Sequence, residues 1–130
     1  MYIFVGMRFT LGKEEKLKSR KQIERLFLEG ESVKEFPLRL KFLKTDYELK
    51  FPFQVAFSVP KRNMKLAVDR IRVKRLLREV YRKNKYILLN NNSENYVVMF
   101  IYTDKKERKY EELEMKMISI LHKFVAQQQS

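Results

Sequence analysis

SVPKRNMKLAVDRIRVKRLLREVYRKNK, from Ser58 to Lys85, is the stretch on which the reading of this chain turns. From Pro60 to Tyr86 it carries eleven Lys or Arg against two acids, Asp69 and Glu79. The local net charge is +9, out of +13 for the whole chain. At about 100° per residue the part from Leu66 onward is two-sided. Leu66, Val73, Leu76, Leu77 and Val80 fall on one face, and Arg70, Lys74, Arg75, Arg78 and Arg82 on the other. Such a helix buries one side in a core and holds out a stripe of cations. A dense cationic stripe suits a polyanion, because each phosphate it neutralises releases condensed counterions.

Outward from this helix, the flanking segments predict strands. Phe51–Val59 (FPFQVAFSV) alternates, with Phe51, Phe53, Val55, Phe57 and Val59 on one side and Gln54, Ala56 and Ser58 on the other. Pro52 sits near its start, where a missing N–H is tolerated, and Pro60 ends it. Beyond the polar loop Asn90–Asn95, Tyr96–Tyr102 (YVVMFIY) is apolar throughout, the pattern of a strand buried on both faces. Strand, basic helix and strand are together compatible with a parallel crossover unit.

Earlier in the chain, Lys16–Gly30 places Ile23, Leu26 and Phe27 at helical spacing. Ser19 is its N-cap candidate, and Gly30 is expected to end it in the left-handed conformation. Leu38, Leu40 and Phe42 alternate with Arg39, Lys41 and Leu43, a half-exposed strand, and a short strand near Val33 is compatible with the pattern. Thr45–Lys50 is a polar turn. Tyr110–Val125 closes the chain as a helix with Leu113, Met117, Ile120, Leu121 and Phe124 along one side. The fold class is α+β: a small sheet and three helices. Residues 1–8 are expected as a flexible extension, 9–126 as one domain that carries the polyanion-binding helix and 127–130 as a polar tail.

Composition narrows the function. At 130 residues, 45% of them apolar, the chain is one domain in size with enough apolar side chains for a core. It has no Cys, which removes disulfides, thiolate metal sites and thiol catalysis. His122, the single histidine, is expected on the surface of the last helix with no catalytic role. No apolar run approaches the ~20 residues needed to span a bilayer. A cytoplasmic location is the expectation. With three glycines scattered along the chain there is no phosphate loop. Asp46, Glu48 and the group Glu111, Glu112 and Glu114 are expected in turns or on a helix surface, serving solubility and helix dipoles. No catalytic residue is assigned.

Ala67-Val68-Asp69-Arg70-Ile71-Arg72-Val73-Lys74-Arg75-Leu76-Leu77-Arg78-Glu79 resembles the Arg-Asn-Arg motif of the bacterial ribonuclease P protein component. Phe57-Ser58-Val59-Pro60-Lys61-Arg62 resembles that family's passage from strand to helix. Leu17-Lys18-Ser19 and Ile23-x-x-Leu26-Phe27-x-x-Gly30 resemble its first helix. The resemblance runs from about Phe9 to Phe124. One departure in the motif matters: the family's Asn is Ile71, which has no amide to offer an RNA.

The resemblance implies an α/β sandwich whose basic helix lies in a left-handed β-α-β crossover. It implies a subunit that binds a large catalytic RNA and the 5′ leader of precursor tRNA, with the RNA and its Mg²⁺ carrying the chemistry. Neither a membrane nor a protein partner is required. The expected RNA contacts are Lys61, Arg62, Arg70, Arg72, Lys74, Arg75, Arg78 and Arg82. Arg forks match phosphate oxygens in pairs, while Lys acts as a point charge. The leader cleft, between the first helix and the sheet, needs aromatic platforms and cations. Its candidates are Phe9, Phe27, Phe53 and Phe57. The smaller, more polar side of the same strand, with Gln54, Ala56 and Ser58, is the alternative surface. A ribosomal or other structured-RNA-binding protein of similar fold is the alternative function. A stand-alone metal-dependent nuclease is a third, and it lacks a recognisable acidic cluster.

Overall fold

The structure, a computed structural model, describes residues 12, 15–45, 52–90 and 94–129. The expectations placed on Phe9, Asp46, Glu48, Phe51 and residues 1–8 lie outside the described residues.

The elements are α1 (Arg20–Glu29), β1 (Glu31–Glu35), β2 (Leu38–Lys44), β3 (Phe53–Ser58), α2 (Ala67–Asn84), the one-turn α3 (Tyr86–Leu89), β4 (Tyr96–Tyr102) and α4 (Tyr110–Gln129). One sheet carries them in the order β1-β2-β4-β3. β1 and β2 form an antiparallel hairpin, and β2 pairs antiparallel with β4. β3 runs parallel to β4 and is joined to it through the basic helix α2, as the crossover reading expects.

β4 lies between β2 and β3, and every one of its residues is buried. Its alternating side chains serve two unequal layers. Tyr96, Val98, Phe100 and Tyr102 join Leu38, Leu40, Phe42, Phe53 and Val55 on the face covered by α2 and α4. Val73, Leu77 and Val80 of α2 and Leu113, Met117, Ile120, Leu121 and Phe124 of α4 fill that layer. Val97, Met99 and Ile101 point the other way, to a smaller cluster with Leu17 and Leu26 under α1.

Local chemistry accounts for the element ends. Ser19 Oγ accepts the backbone N–H of Gln22, the expected N-cap of α1. Gly30 is not left-handed as expected; with φ −72° and ψ 151° it is extended, and the chain passes straight from α1 into β1. Its smallness serves close approach instead. A Cβ there would lie 2.4 Å from the Leu26 carbonyl oxygen and 3.0 Å from that of Phe42. Leu66, expected on the buried face, is the N-cap of α2 and is 63% exposed. A residue at the first turn is not yet covered by the sheet. α4 continues past Val125 through Gln129.

Upstream of α1 the chain lies along the free side of β3. Lys16 bridges Val55 in parallel, and the Leu17 N–H donates to the Val55 carbonyl at 2.9 Å. Glu15 and Lys85, seventy positions apart, meet at 2.7 Å, their side chains 7% and 3% exposed. A buried ion pair of this kind holds position, because separating it strands a charge away from water.

Candidate nucleic-acid interface

α2 turns Val73, Leu77, Val80 and Tyr81 inward, and its opposite side is open. Arg75 and Arg78 are exposed there, with Ile71 beside them at 55% exposure. Ile71 thus stands on the cationic surface and not in the core. Lys61 and Arg62 are exposed in the turn between β3 and α2, and Lys74 is partly buried on the flank.

Three of the expected cations are engaged with protein groups. Arg70 curls back, its Nη1 donating to the Met64 and Lys65 carbonyls at 3.0 and 2.7 Å. It ties the first turn of α2 to the carbonyls just ahead of it, while Leu66 leaves the first N–H groups of the helix without a side-chain cap. Arg72 donates through Nε and Nη2 to both oxygens of Glu107, at 2.9 and 2.8 Å, and also to Asp69. The hydrogen bond from Arg72 holds the Glu107 carboxyl below its ordinary range. Arg82 is bonded to Glu79, which also lies 3.9 Å from Lys83, and the Arg82 bond lowers the Glu79 carboxyl. Glu79 therefore orients Arg82 and Lys83.

Beside Arg78 the segment ahead of α1 and the strand β3 enclose a groove of about 200 Å³. Lys16, Lys18 and Arg78 supply its charge, and Ala56 and Phe57 its floor. Of the expected leader platforms, Phe57 reaches this groove, although most of it packs inward. It stacks on Phe100 at 5.7 Å and meets Tyr81 edge-on at 5.9 Å. Phe53 does not reach it. At 2% exposure it stacks on Tyr96 at 5.6 Å, and as a leader platform it is corrected to core. The strand's alternation explains this: the Phe53 side faces α2 and α4, and the Ala56 side faces α1. Phe27, on α1, is 49% exposed, with Lys41 Nζ 5.4 Å from its ring centre and bonded to its carbonyl.

Lys16, Lys18, Lys41 and Arg39 were not singled out by the sequence reading. The signal available for Lys41 and Arg39 was their alternation against Leu38, Leu40 and Phe42. For Lys16 and Lys18 it was only their place just before the Ser19 cap. His122 is exposed, as expected. Among the described residues no group of three or more His, Asp or Glu converges in a way that could hold a metal ion. No helix among them is long and apolar enough to cross a membrane.

The arrangement sets two cationic surfaces side by side: a helix with exposed guanidinium groups, and a groove with an aromatic edge and three cations. Comparison with known proteins gives this arrangement a context. The ribonuclease P component of Porphyromonas gingivalis is 40% identical over 81 residues, 62% of this chain and 58% of that protein. That of Chlorobium phaeobacteroides is 43% identical over 79 residues, 58% of this chain and 54% of that protein. The matched part thus spans little more than half the length of these relatives. The RNase P protein of Staphylococcus aureus superposes with a TM-score of 0.68 over 86% of this chain and 96% of its own, at 18% identity. That of Thermotoga maritima gives 0.67 over 84% and 96%, at 20% identity. These structures share the fold. The sequence model described as Ribonuclease P matches residues 11–125, nearly all of the chain, and the chain belongs to that family.

Proposed function

We propose that this chain is the protein subunit of a ribonucleoprotein endonuclease that removes the 5′ leader from precursor tRNA. The catalytic RNA and its Mg²⁺ carry out the hydrolysis, and the protein binds and positions. Arg75 and Arg78 contact the RNA subunit along the open side of α2, with Lys61 and Arg62 extending that contact past the helix start. The leader lies across the groove, its phosphates near Lys16, Lys18 and Arg78 and a base against the exposed part of Phe57. Phe27 with Lys41 offers a further platform. The observation that carries this reading is the position of Arg78, which belongs both to the cationic helix surface and to the groove wall.

Reconstitution tests it. RNA-free protein with Mg²⁺ should leave precursor tRNA intact. Addition of the catalytic RNA should give a mature tRNA with a 5′-phosphate. Cleavage by the protein alone would replace this reading with a stand-alone nuclease, and co-purification with ribosomal RNA would favour the structured-RNA alternative. If ~4–6 phosphates are neutralised, log affinity should fall with log salt at a slope of roughly −3 to −5. Arg78→Ala should reduce that slope by about one.

A further inference from the structure

We propose that the tip of the β1–β2 hairpin is a second nucleotide site, which takes an unpaired base of the leader after it leaves the groove. The inference rests on the leader reading above and extends it to residues outside the motif helix and the groove.

Phe36 occupies the turn of this hairpin and is 57% exposed. Its ring is not isolated. The Arg108 guanidinium lies 5.1 Å from its centroid. Arg108 is itself fixed by Asp104 at 2.8 Å and Glu112 at 3.4 Å. The turn is tied to the end of β4, where the Thr103 N–H donates to the Pro37 carbonyl at 2.8 Å. The aromatic surface is therefore held in place before any ligand arrives.

A cavity of about 250 Å³ opens beside this ring, lined by Lys34, Phe36, Leu38, Arg39 and Thr103. Small-molecule sites begin at about 300 Å³, so this one has the scale of a single base and not of a larger ligand. Its cations face the groove's side of the sheet. Lys34 pairs with Arg39, Arg39 with Ile101 and Ile101 with Ser58, one row across all four strands. Ile101 belongs to the cluster under α1, so Arg39 and Lys34 share that outer face. Arg39 Nε is anchored on Ser32 Oγ at 3.3 Å. Three strand spacings of about 4.8 Å separate the two ends of the row, a span that a short run of extended single strand covers.

Charge selects the ligand. The acids at this end of the sheet already have cations: Asp104 has Arg108, Glu107 has Arg72, and Glu35 has Lys116 and Lys123. Lys34 and Arg39, which line the cavity, remain to set the field beside the Phe36 ring. An aromatic face within a cationic surround is the pattern by which single strands are held, the base by stacking and the phosphate by charge. A protein partner would call for a broader apolar area. The shared sheet face, on which the row runs from Ser58, next to the groove's Phe57, to Lys34 at the hairpin, favours the leader over the catalytic RNA.

The test uses the reconstituted holoenzyme and two substrates, precursor tRNA with a long leader and the same tRNA with its leader trimmed to the last nucleotide. Phe36→Leu keeps an apolar side chain but removes the stacking face. It should weaken binding of the long-leader substrate at least about fivefold and leave the trimmed one unchanged, and Phe36→Tyr should restore the affinity. Arg39→Gln should weaken the long-leader substrate selectively too. Equal losses on both substrates would move the contact to the tRNA body or the RNA subunit and overturn the proposal. No loss with Phe36→Leu, or a Tyr variant as weak as the Leu variant, would also overturn it. An unsubstituted protein that gives no cleavage with the catalytic RNA would remove the subunit reading itself, a failure separable from these.

Discussion

Phe53 and Ala56 stand on the same strand and face opposite ways. Phe53 stacks on Tyr96 and meets Phe124 edge-on at 6.0 Å, inside a ring cluster that α2 and α4 close off. Ala56 faces the smaller cluster under α1, and its side also lines the groove. The two faces divide the work of the molecule. The face packed with aromatic rings supplies most of the burial that lets a 130-residue chain fold. The face under one short helix is covered sparingly, and Ala56 of the groove and Lys34 and Arg39 of the hairpin cavity lie on its side. Phe53, deep in the filled face, is structural. A small residue beside cations at a thinly covered face marks the binding side.

This contrast is broken most directly from the filled side. Phe124 contacts Phe42, Phe53 and Tyr96. Phe124→Ala should cost about 3–5 kcal/mol, through lost transfer energy and the cavity left behind. Denaturant unfolding would show it. A loss below about 1 kcal/mol would mean that the ring cluster is not the main support of the fold.

Gly30 tests how tightly the other face is drawn in. Gly30→Ala forces a Cβ against the Leu26 and Phe42 carbonyl oxygens, and overpacking of this kind costs about 1–3 kcal/mol. The thermal midpoint should fall with it. An unchanged midpoint would show that α1 can lift from the sheet without cost.

The smallest effect is expected on α2. Ile71→Asn should change stability by less than about 1 kcal/mol, because the side chain is more than half exposed and packs against little. Affinity for the catalytic RNA should stay equal or improve, since the substitution introduces an amide on the cationic surface. A large drop in midpoint would show that this side of α2 is structural.

The parts of the molecule that were legible in the sequence are those set by local period. β4 was readable as a doubly buried strand because every position from Tyr96 to Tyr102 is apolar, and the sidedness of α2 followed from its spacing. Alternation also separated Phe53 from Ala56, but it did not say which side a helix would fill. That depends on where α4 lies, more than fifty positions away in sequence. The same limit applies to single charges. Arg72 reads as a free cation until Glu107 is brought to it across thirty-five positions. Phe36 carries no local signal until Arg108 is placed over its ring. Gly30 has the usual sequence signature of a left-handed helix end, but the immediate start of β1 requires an extended backbone.

The segment ahead of α1 has a consequence for the molecule before it meets any RNA. An open sheet ends in strands with unpaired backbone groups, which invite pairing with another chain. At β3, Lys16 and Leu17 occupy that position, and the Glu15–Lys85 pair fixes their register, since a slip would leave Lys85 buried without its carboxylate. At the opposite margin β1 is only five residues long and carries Glu31, Lys34 and Glu35. Both margins therefore discourage strand addition, one by occupation and the other by brevity and charge. A strongly basic protein awaiting a polyanion is guarded in this way against assembling with copies of itself.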